Sequence, residues 1–199
     1  MEQILVYGDS LSWGIIPGTR ERLAFDERWP GVLENELNAR GRRVRVIENC
    51  LNGRRTVWED PFKAGRNGRE GLAKCMEIHS PLSLVILMLG TNDFQYCHPY
   101  NNAWAASQGV AALVKEMRGA PIEPGMPVPP VLVVAPPALK TPQGAIGPKF
   151  AGGELRSYKQ LPQLWWQRRG TVLEVAGFGL DAGVVRDAFG RALEECGVA

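Results

Sequence analysis

The first feature of chemical interest is a serine just past a short apolar run. Ile4–Tyr7 leads directly into Gly8-Asp9-Ser10. A serine in a turn after a strand exposes its hydroxyl and can turn its backbone N–H toward a developing oxyanion. Asp9 and Ser10 also suit a helix N-terminus, so this segment alone decides nothing. Two further donors follow similar runs. Val44–Ile47 leads to Leu51-Asn52-Gly53-Arg54, where the missing side chain at Gly53 lets backbone approach a substrate. Leu84–Leu89 leads to Gly90-Thr91-Asn92-Asp93, where Asn92 can donate from its amide. Each is also explicable as a simple turn. Their joint occurrence carries the argument, because Ser, Gly and Asn at the ends of three consecutive strands are what acyl transfer needs.

Those donors meet only if the strands lie side by side and point the same way. The apolar runs Ile4–Tyr7, Val44–Ile47, Leu84–Leu89 and Val131–Ala135 are bounded by Gly, Pro, Asn or Asp. They read as strands of a parallel sheet buried on both faces. Between them, Trp29–Ala39 opens with Pro30 in its first turn and carries Val32, Leu33 and Leu37 at helical spacing. Ala103–Arg118 is the clearest helix, stopped by Gly119. Strand–helix alternation with right-handed crossovers gives a doubly wound α/β sheet, whose site lies beyond the strands' carboxyl ends. Two long loops, 119–130 and 136–153, are expected at the surface as binding loops or as plain connectors.

Taken together, Gly8-Asp9-Ser10-Leu11, Gly53 and Gly90-Thr91-Asn92-Asp93 resemble the first three blocks of the SGNH, or GDSL, hydrolase family. Ser12-Trp13-Gly14, Arg28-Trp29-Pro30-Gly31, His79-Ser80-Pro81-Leu82, Val133-Val134-Ala135-Pro136-Pro137 and Phe150-Ala151-Gly152-Gly153 are similar to its aryl esterase and acyltransferase branch. The resemblance implies a three-layer, flavodoxin-like α/β fold with a parallel sheet flanked by helices, as one domain over 1–199. It implies hydrolysis of short-chain and aryl esters, with acyl transfer to alcohols or peroxide as a competing reaction. Ser10 would be the nucleophile. The Ser10 and Gly53 backbone N–H groups and the Asn92 side chain would form the oxyanion hole. Asp9, Leu11, Trp13 and Thr91 would border the substrate, with Asp9 and Asp93 orienting loops rather than doing chemistry. Trp13, Ile15, Ile16 and the 136–153 loop would wall an acyl pocket. No metal or organic cofactor is implied, the partner is a small-molecule ester, and members of this branch often assemble into homo-oligomers.

The chain departs from the family from about residue 155. The pattern ends in Asp-x-x-His, whose His deprotonates the serine. The only histidines are His79 and His98. Asp187 stands three residues before Gly190, where a His is needed; Pro162 interrupts what should be a helix, and Trp165-Trp166 sits in a poor amphipathic pattern. Three explanations stand open. His98, just past Asn92 on the active-site side, is recruited as the base. Alternatively, the protein binds esters and turns them over slowly, or its C-terminal block has been altered. His79 precedes a strand and is expected to be structural.

Composition excludes other classes. A formal net charge of +2 gives no electrostatic case for nucleic acid or an acidic membrane. The clusters Arg40, Arg42, Arg43, Arg45 and Arg54, Arg55 and Arg168, Arg169 lack interleaved aromatics and are expected to form a solvated basic face. Gly8-Asp9-Ser10 lacks the glycines of a phosphate cradle. The cysteines Cys50, Cys75, Cys97 and Cys196 form no CxxC pair and are expected to be reduced. A strand that begins at Gln3-Ile4-Leu5-Val6 leaves no room for a signal peptide, and no run is long enough to span a bilayer, so a cytoplasmic location is expected.

Overall fold

The computed structural model describes residues 1–137, 139–157 and 172–173. Among the described residues, five parallel strands form one sheet in the order β2-β1-β3-β4-β5. They are β1 (Glu2–Gly8), β2 (Val44–Cys50), β3 (Leu84–Met88), β4 (Val131–Val134) and the short β5 (Val172–Leu173). This is the flavodoxin-type order, in which the chain winds first to one side of β1 and then to the other. The helices are α1 (Ser10–Trp13), α2 (Trp29–Ala39), α3 (Leu72–His79), α4 (Ala103–Arg118) and α5 (Gly153–Ser157).

The two faces of the sheet are sorted by the period of two along each strand. Leu5, Tyr7, Val85, Leu87, Val131 and Val133 face α3 and α4, packing with Leu72, Met76, Val110, Leu113 and Met117. Ile4, Val6, Val44, Val46, Ile86 and Leu132 face the other way, toward Leu37, Leu33 and Trp29 of α2. Burial on both faces explains why the strands read as unbroken apolar runs.

α2 and α4 have the bounds their sequence pattern predicts. On α2, Leu37 is buried while Val32 is 40% exposed, so its apolar stripe is narrower than the spacing alone implies. α3 was not anticipated. Gly71, at φ 72°, starts it after a Gly-rich segment, and its eight residues carry only a short apolar stripe. His79 closes α3 ahead of β3, at the end of the sheet away from Ser10.

Among the described residues, no helix is long and apolar enough to cross a membrane. Cys50, Cys75 and Cys97 are free thiols. Pro162, Trp165, Trp166, Arg168, Arg169, Asp187 and Cys196 lie outside the described residues.

Candidate active site

Three adjacent strand ends build the site. Gly8 pairs with Cys50 on one side and Met88 on the other, so β1, β2 and β3 end at one level. The chain turns at once after β1. Asp9 Oδ1 accepts the Leu11 N–H at 2.9 Å and caps α1, while Gly14 closes it at φ 81°. Ser10 therefore occupies the first helical position, half-buried, where a backbone N–H has no intrahelical partner. The turn must be tight. A Cβ at Gly8 would fall 2.5 Å from Ser12 Oγ, so only glycine lets α1 fold back on the strand.

After β2, Leu51 N–H donates to Gly8 O at 3.0 Å and Arg54 N–H donates to Leu51 O at 3.0 Å. This four-residue turn holds Gly53 half-buried at φ 84°, a conformation that favours glycine. After β3, Gly90 leads into a 3₁₀ turn over Thr91–Phe94 that buries Asn92 and Asp93. Asn92 ties the three ends together. Its Nδ2 donates to Asp9 Oδ2 and to Arg54 O, both at 3.1 Å, so it bonds the residue before Ser10 and the residue after Gly53. Asp93 clamps the second loop from below, accepting the Thr56 N–H at 2.9 Å on one oxygen and the Thr56 hydroxyl on the other.

The electrostatics follow from burial. Desolvation pushes the Asp9 carboxyl up to about 7; the Leu11 N–H opposes it, the nearby Asp93 charge adds to it, and Arg54 and Asn92 oppose it. Burial likewise pushes Asp93 up to about 6 against the two Thr56 hydrogen bonds. Cys50, at the end of β2, is driven by burial up to about 12, so its thiol is protonated at neutral pH and is not an activated nucleophile.

The remaining expected residues have these surroundings. Leu11 packs against the α2-side core. Trp13 is half-buried, with the Arg22 guanidinium 5.0 Å over its ring and the Arg22 Nε donating to its carbonyl at 2.9 Å. Thr91 Oγ1 is buried and has no hydrogen-bond partner among the described residues. The 136–153 loop packs onto the Asn92 turn, where Tyr96 N–H donates to Lys149 O at 2.7 Å and Phe150 is buried. The His98 Nε2 is bonded to Glu59 O at 2.8 Å, and its ring lies 6.0 Å from that of Trp58. Neither Ser10 nor Asp9 is among its contacts.

One sequence expectation is corrected. Arg54 and Arg55 do not belong to a solvated basic face; they are 8% and 0% exposed. Arg54 donates to Gly8 O, Asn49 O and Asn49 Oδ1 and stacks 4.0 Å over the Tyr7 ring. Burial lowers its pKa, yet three acceptors and an aromatic face compensate the charge. Arg55 pairs with the Asp60 carboxylate at 3.2 Å. Arg40, Arg43 and Arg45 are exposed, as a solvated face requires. The missed signal was position: Arg54 and Arg55 directly follow a turn at a strand end, where backbone carbonyls need donors.

A family model described as the GDSL-like lipase/acylhydrolase family matches residues 6–187. The chain belongs to that family. Its resemblance to SGNH hydrolases is carried through the fold by solved relatives. An inhibitor-bound aryl esterase from M. smegmatis is 30% identical over 100% of both chains, with a TM-score of 0.84. A carbohydrate acetylesterase family member from Sinorhizobium meliloti is 32% identical, covering 98% of this chain and 96% of its own, with a TM-score of 0.81. Est24, a carbohydrate acetylesterase from the same organism, is 29% identical over 100% of both chains, with a TM-score of 0.83. Curated protein sequences give no match. Within this GDSL-like frame, the additions to the expected residues are Arg54, which braces the first two strand ends, and the buried pair Arg55 and Gln95 behind Asn92.

Proposed function

We propose that this GDSL-like protein hydrolyses short-chain acyl and aryl esters through an acyl-Ser10 intermediate. The observation that carries the reading is the Asn92 amide, bonded at once to the neighbours of Ser10 and Gly53. One carbonyl oxygen placed there would meet three donors: the Ser10 N–H, the Gly53 N–H and Asn92 Nδ2. Both present partners of Nδ2 lie at 3.1 Å, the long end of the normal range. A charged oxyanion is the stronger acceptor and can compete for that amide.

In the acylation step Ser10 Oγ bonds to the ester carbon and gives up its proton, and the alcohol leaves carrying a proton. Water then attacks the acyl-serine, regenerating Ser10 and releasing the acid. Replacing water by an alcohol or peroxide gives acyl transfer at the same centre. The aryl esterase and acetylesterase relatives support small acyl groups, and Trp13, Ile15 and Ile16 beside α1 are the proposed wall of the acyl pocket. Residues 1–199 are proposed to act as one domain.

A second reading has its own observation. The sequence holds no histidine after His98 and no Asp-x-x-His block. This favours an ester-binding protein with impaired turnover. The two are separated by p-nitrophenyl acetate hydrolysis, measured beside Ser10→Ala, with fluorophosphonate labelling of Ser10. Turnover above the alanine variant by more than about 10³-fold, with labelling, supports the esterase. Equal slow rates and no labelling leave the binding protein.

A further inference from the structure

We propose that Arg55 and Gln95 are positioning residues that fix which edge of the Asn92 amide faces the reacting carbonyl; this rests on the reading of Asn92 as an oxyanion donor. The two edges of an asparagine amide are nearly identical in shape, so packing cannot choose between them. Only the donors and acceptors around the amide can. A guanidinium has donors and no acceptor, and Arg55 is completely buried. Its Nη2 lies 2.5 Å from Gln95 Oε1, so that atom must be the glutamine oxygen. The Gln95 amino group is thereby turned to the other side, where Nε2 donates to Asn92 Oδ1 at 2.8 Å. With its oxygen taken, Asn92 must present Nδ2 to the strand ends.

Both ends of this line are closed by groups that cannot reverse their role. Arg55 is held by the Asp60 carboxylate at 3.2 Å and by Glu59 O at 2.8 Å. At the far end the Arg54 carbonyl can only accept, and it receives Asn92 Nδ2, which Asp9 Oδ2 also accepts while Asp9 Oδ1 takes the Leu11 N–H. Reversing the Asn92 amide would set its amino group against that of Gln95 and its oxygen against the Asp9 carboxylate and Arg54 O. Gln95 is 1%, Asn92 5% and Asp9 1% exposed, so water cannot relieve those contacts. Arg55 lies forty residues from Gln95 in sequence (|i−j| = 40), and neither is a contact of Ser10. Their effect on chemistry would pass entirely through the orientation of one amide.

The test is Gln95→Glu, which keeps an acceptor for Arg55 and loses the donor to Asn92. Arg55→Lys, which still only donates, is the conservative partner. The side-chain amide signals of Asn92, assigned by their loss in Asn92→Ala, are followed by NMR in each protein. In Gln95→Glu we expect those signals to move and their hydrogen exchange to quicken by at least about 10-fold, with the melting temperature held. We expect kcat on p-nitrophenyl acetate to fall about 10²-fold at a KM changed by less than about 3-fold, the size of losing one oxyanion donor. In Arg55→Lys the amide signals stay near their wild-type positions. Unmoved Asn92 signals in Gln95→Glu overturn the proposal, as does a kcat loss that merely tracks lost stability. If the wild type turns over no faster than Ser10→Ala, the esterase reading fails, and the amide signals still decide the orientation on their own.

Discussion

Gly109 of α4 lies so close to Thr56 that a Cβ there would fall 2.1 Å from Thr56 Oγ1 and 2.6 Å from Thr56 Cβ. The helix thus presses the second loop onto the site, and Thr56 cannot yield because Asp93 holds both its N–H and its hydroxyl. Gly109→Ala sets two effects against each other. Alanine in a helix interior gains about 1 kcal/mol over glycine. Overpacking a well-filled contact costs about 1–3 kcal/mol, and here it also displaces a buried hydrogen-bonded pair. The loss wins. Urea unfolding should show Gly109→Ala less stable by about 1–3 kcal/mol, and an unchanged or higher midpoint would refute the close contact.

Arg54 gives a second prediction, from its stacking over Tyr7 and its three bonds to Gly8 and Asn49. No carboxylate lies within salt-bridge distance of it among the described residues, so its worth is in hydrogen bonds and the ring face rather than in an ion pair. Arg54→Ala removes the Arg54 donors to Asn49 O and Asn49 Oδ1 and opens a gap beside Tyr7, which should destabilise by about 2–4 kcal/mol. Arg54→Lys keeps the charge and loses the planar fork, so it should recover less than half of that. Thermal melts of the two variants side by side check the order.

Arg54 also separates what is legible in this sequence from what is not. Strand interiors are legible because burial on both faces leaves continuous apolar runs, and α2 and α4 are long enough to show their period. The 3₁₀ turn at Thr91–Phe94 and α1 are too short for any period, so Ser10 and Asn92 were found by position after a strand. What could not be seen is how a polar side chain is satisfied. Two adjacent arginines look like surface charge until a three-dimensional partner exists. The partners of Arg55 are Asp60, a few residues on, and Gln95, far along the chain. α3 was missed because eight residues following a Gly-rich stretch give too little pattern to separate helix from loop.

Stability should fall as the solution is made less acidic. Asp93 titrates near 6 and Asp9 near 7 in the fold, both raised by burial, against about 3.9 for an unfolded aspartate. Between those values the folded protein holds protons that the unfolded chain has released. The unfolding free energy therefore decreases as pH rises from about 4 through 7, by an amount on the order of a few kcal/mol, and levels above. Asp93→Asn retains an oxygen for the Thr56 N–H and gains an amino group that can donate to the Thr56 hydroxyl. It should flatten the decrease without losing the clamp. Chemical unfolding at several pH values tests this, and an equal slope in wild type and Asp93→Asn would count against a buried, raised Asp93.

Gly53 should tolerate a methyl group sterically and resist it conformationally. The nearest atom to a Cβ there is Arg66 Nε, at 3.9 Å, so there is no clash. The φ of 84° is the obstacle, costing a non-glycine residue about 1–2 kcal/mol. Gly53→Ala should thus lose about that much stability. If its N–H serves the oxyanion, relaxing the turn should also lower kcat by about 10-fold or more. A stability loss with full kcat would remove Gly53 from the proposed hole.

His98 is the sharpest test of where the Ser10 proton goes. A general base contributes about 10²–10⁴-fold to rate, and loss of one member of a serine triad can cost about 10⁴–10⁶-fold. In the structure the His98 ring is occupied by Glu59 O and faces Trp58, contacts that fasten the loop after the Asn92 turn to the Trp58–Asp60 segment. In that role His98 is expected to support loop geometry rather than take the Ser10 proton. His98→Ala should therefore keep the acylation rate within about 3-fold, well short of the loss of a base, while lowering the melting temperature slightly. Stopped-flow acylation by p-nitrophenyl acetate reads the step directly. A drop of more than about 10²-fold with the fold intact would make His98 the recruited base and would require its ring to leave Glu59 and reach Ser10. An unchanged rate that is fast in the wild type would instead require a base other than either histidine, since His79 lies at the opposite end of the sheet.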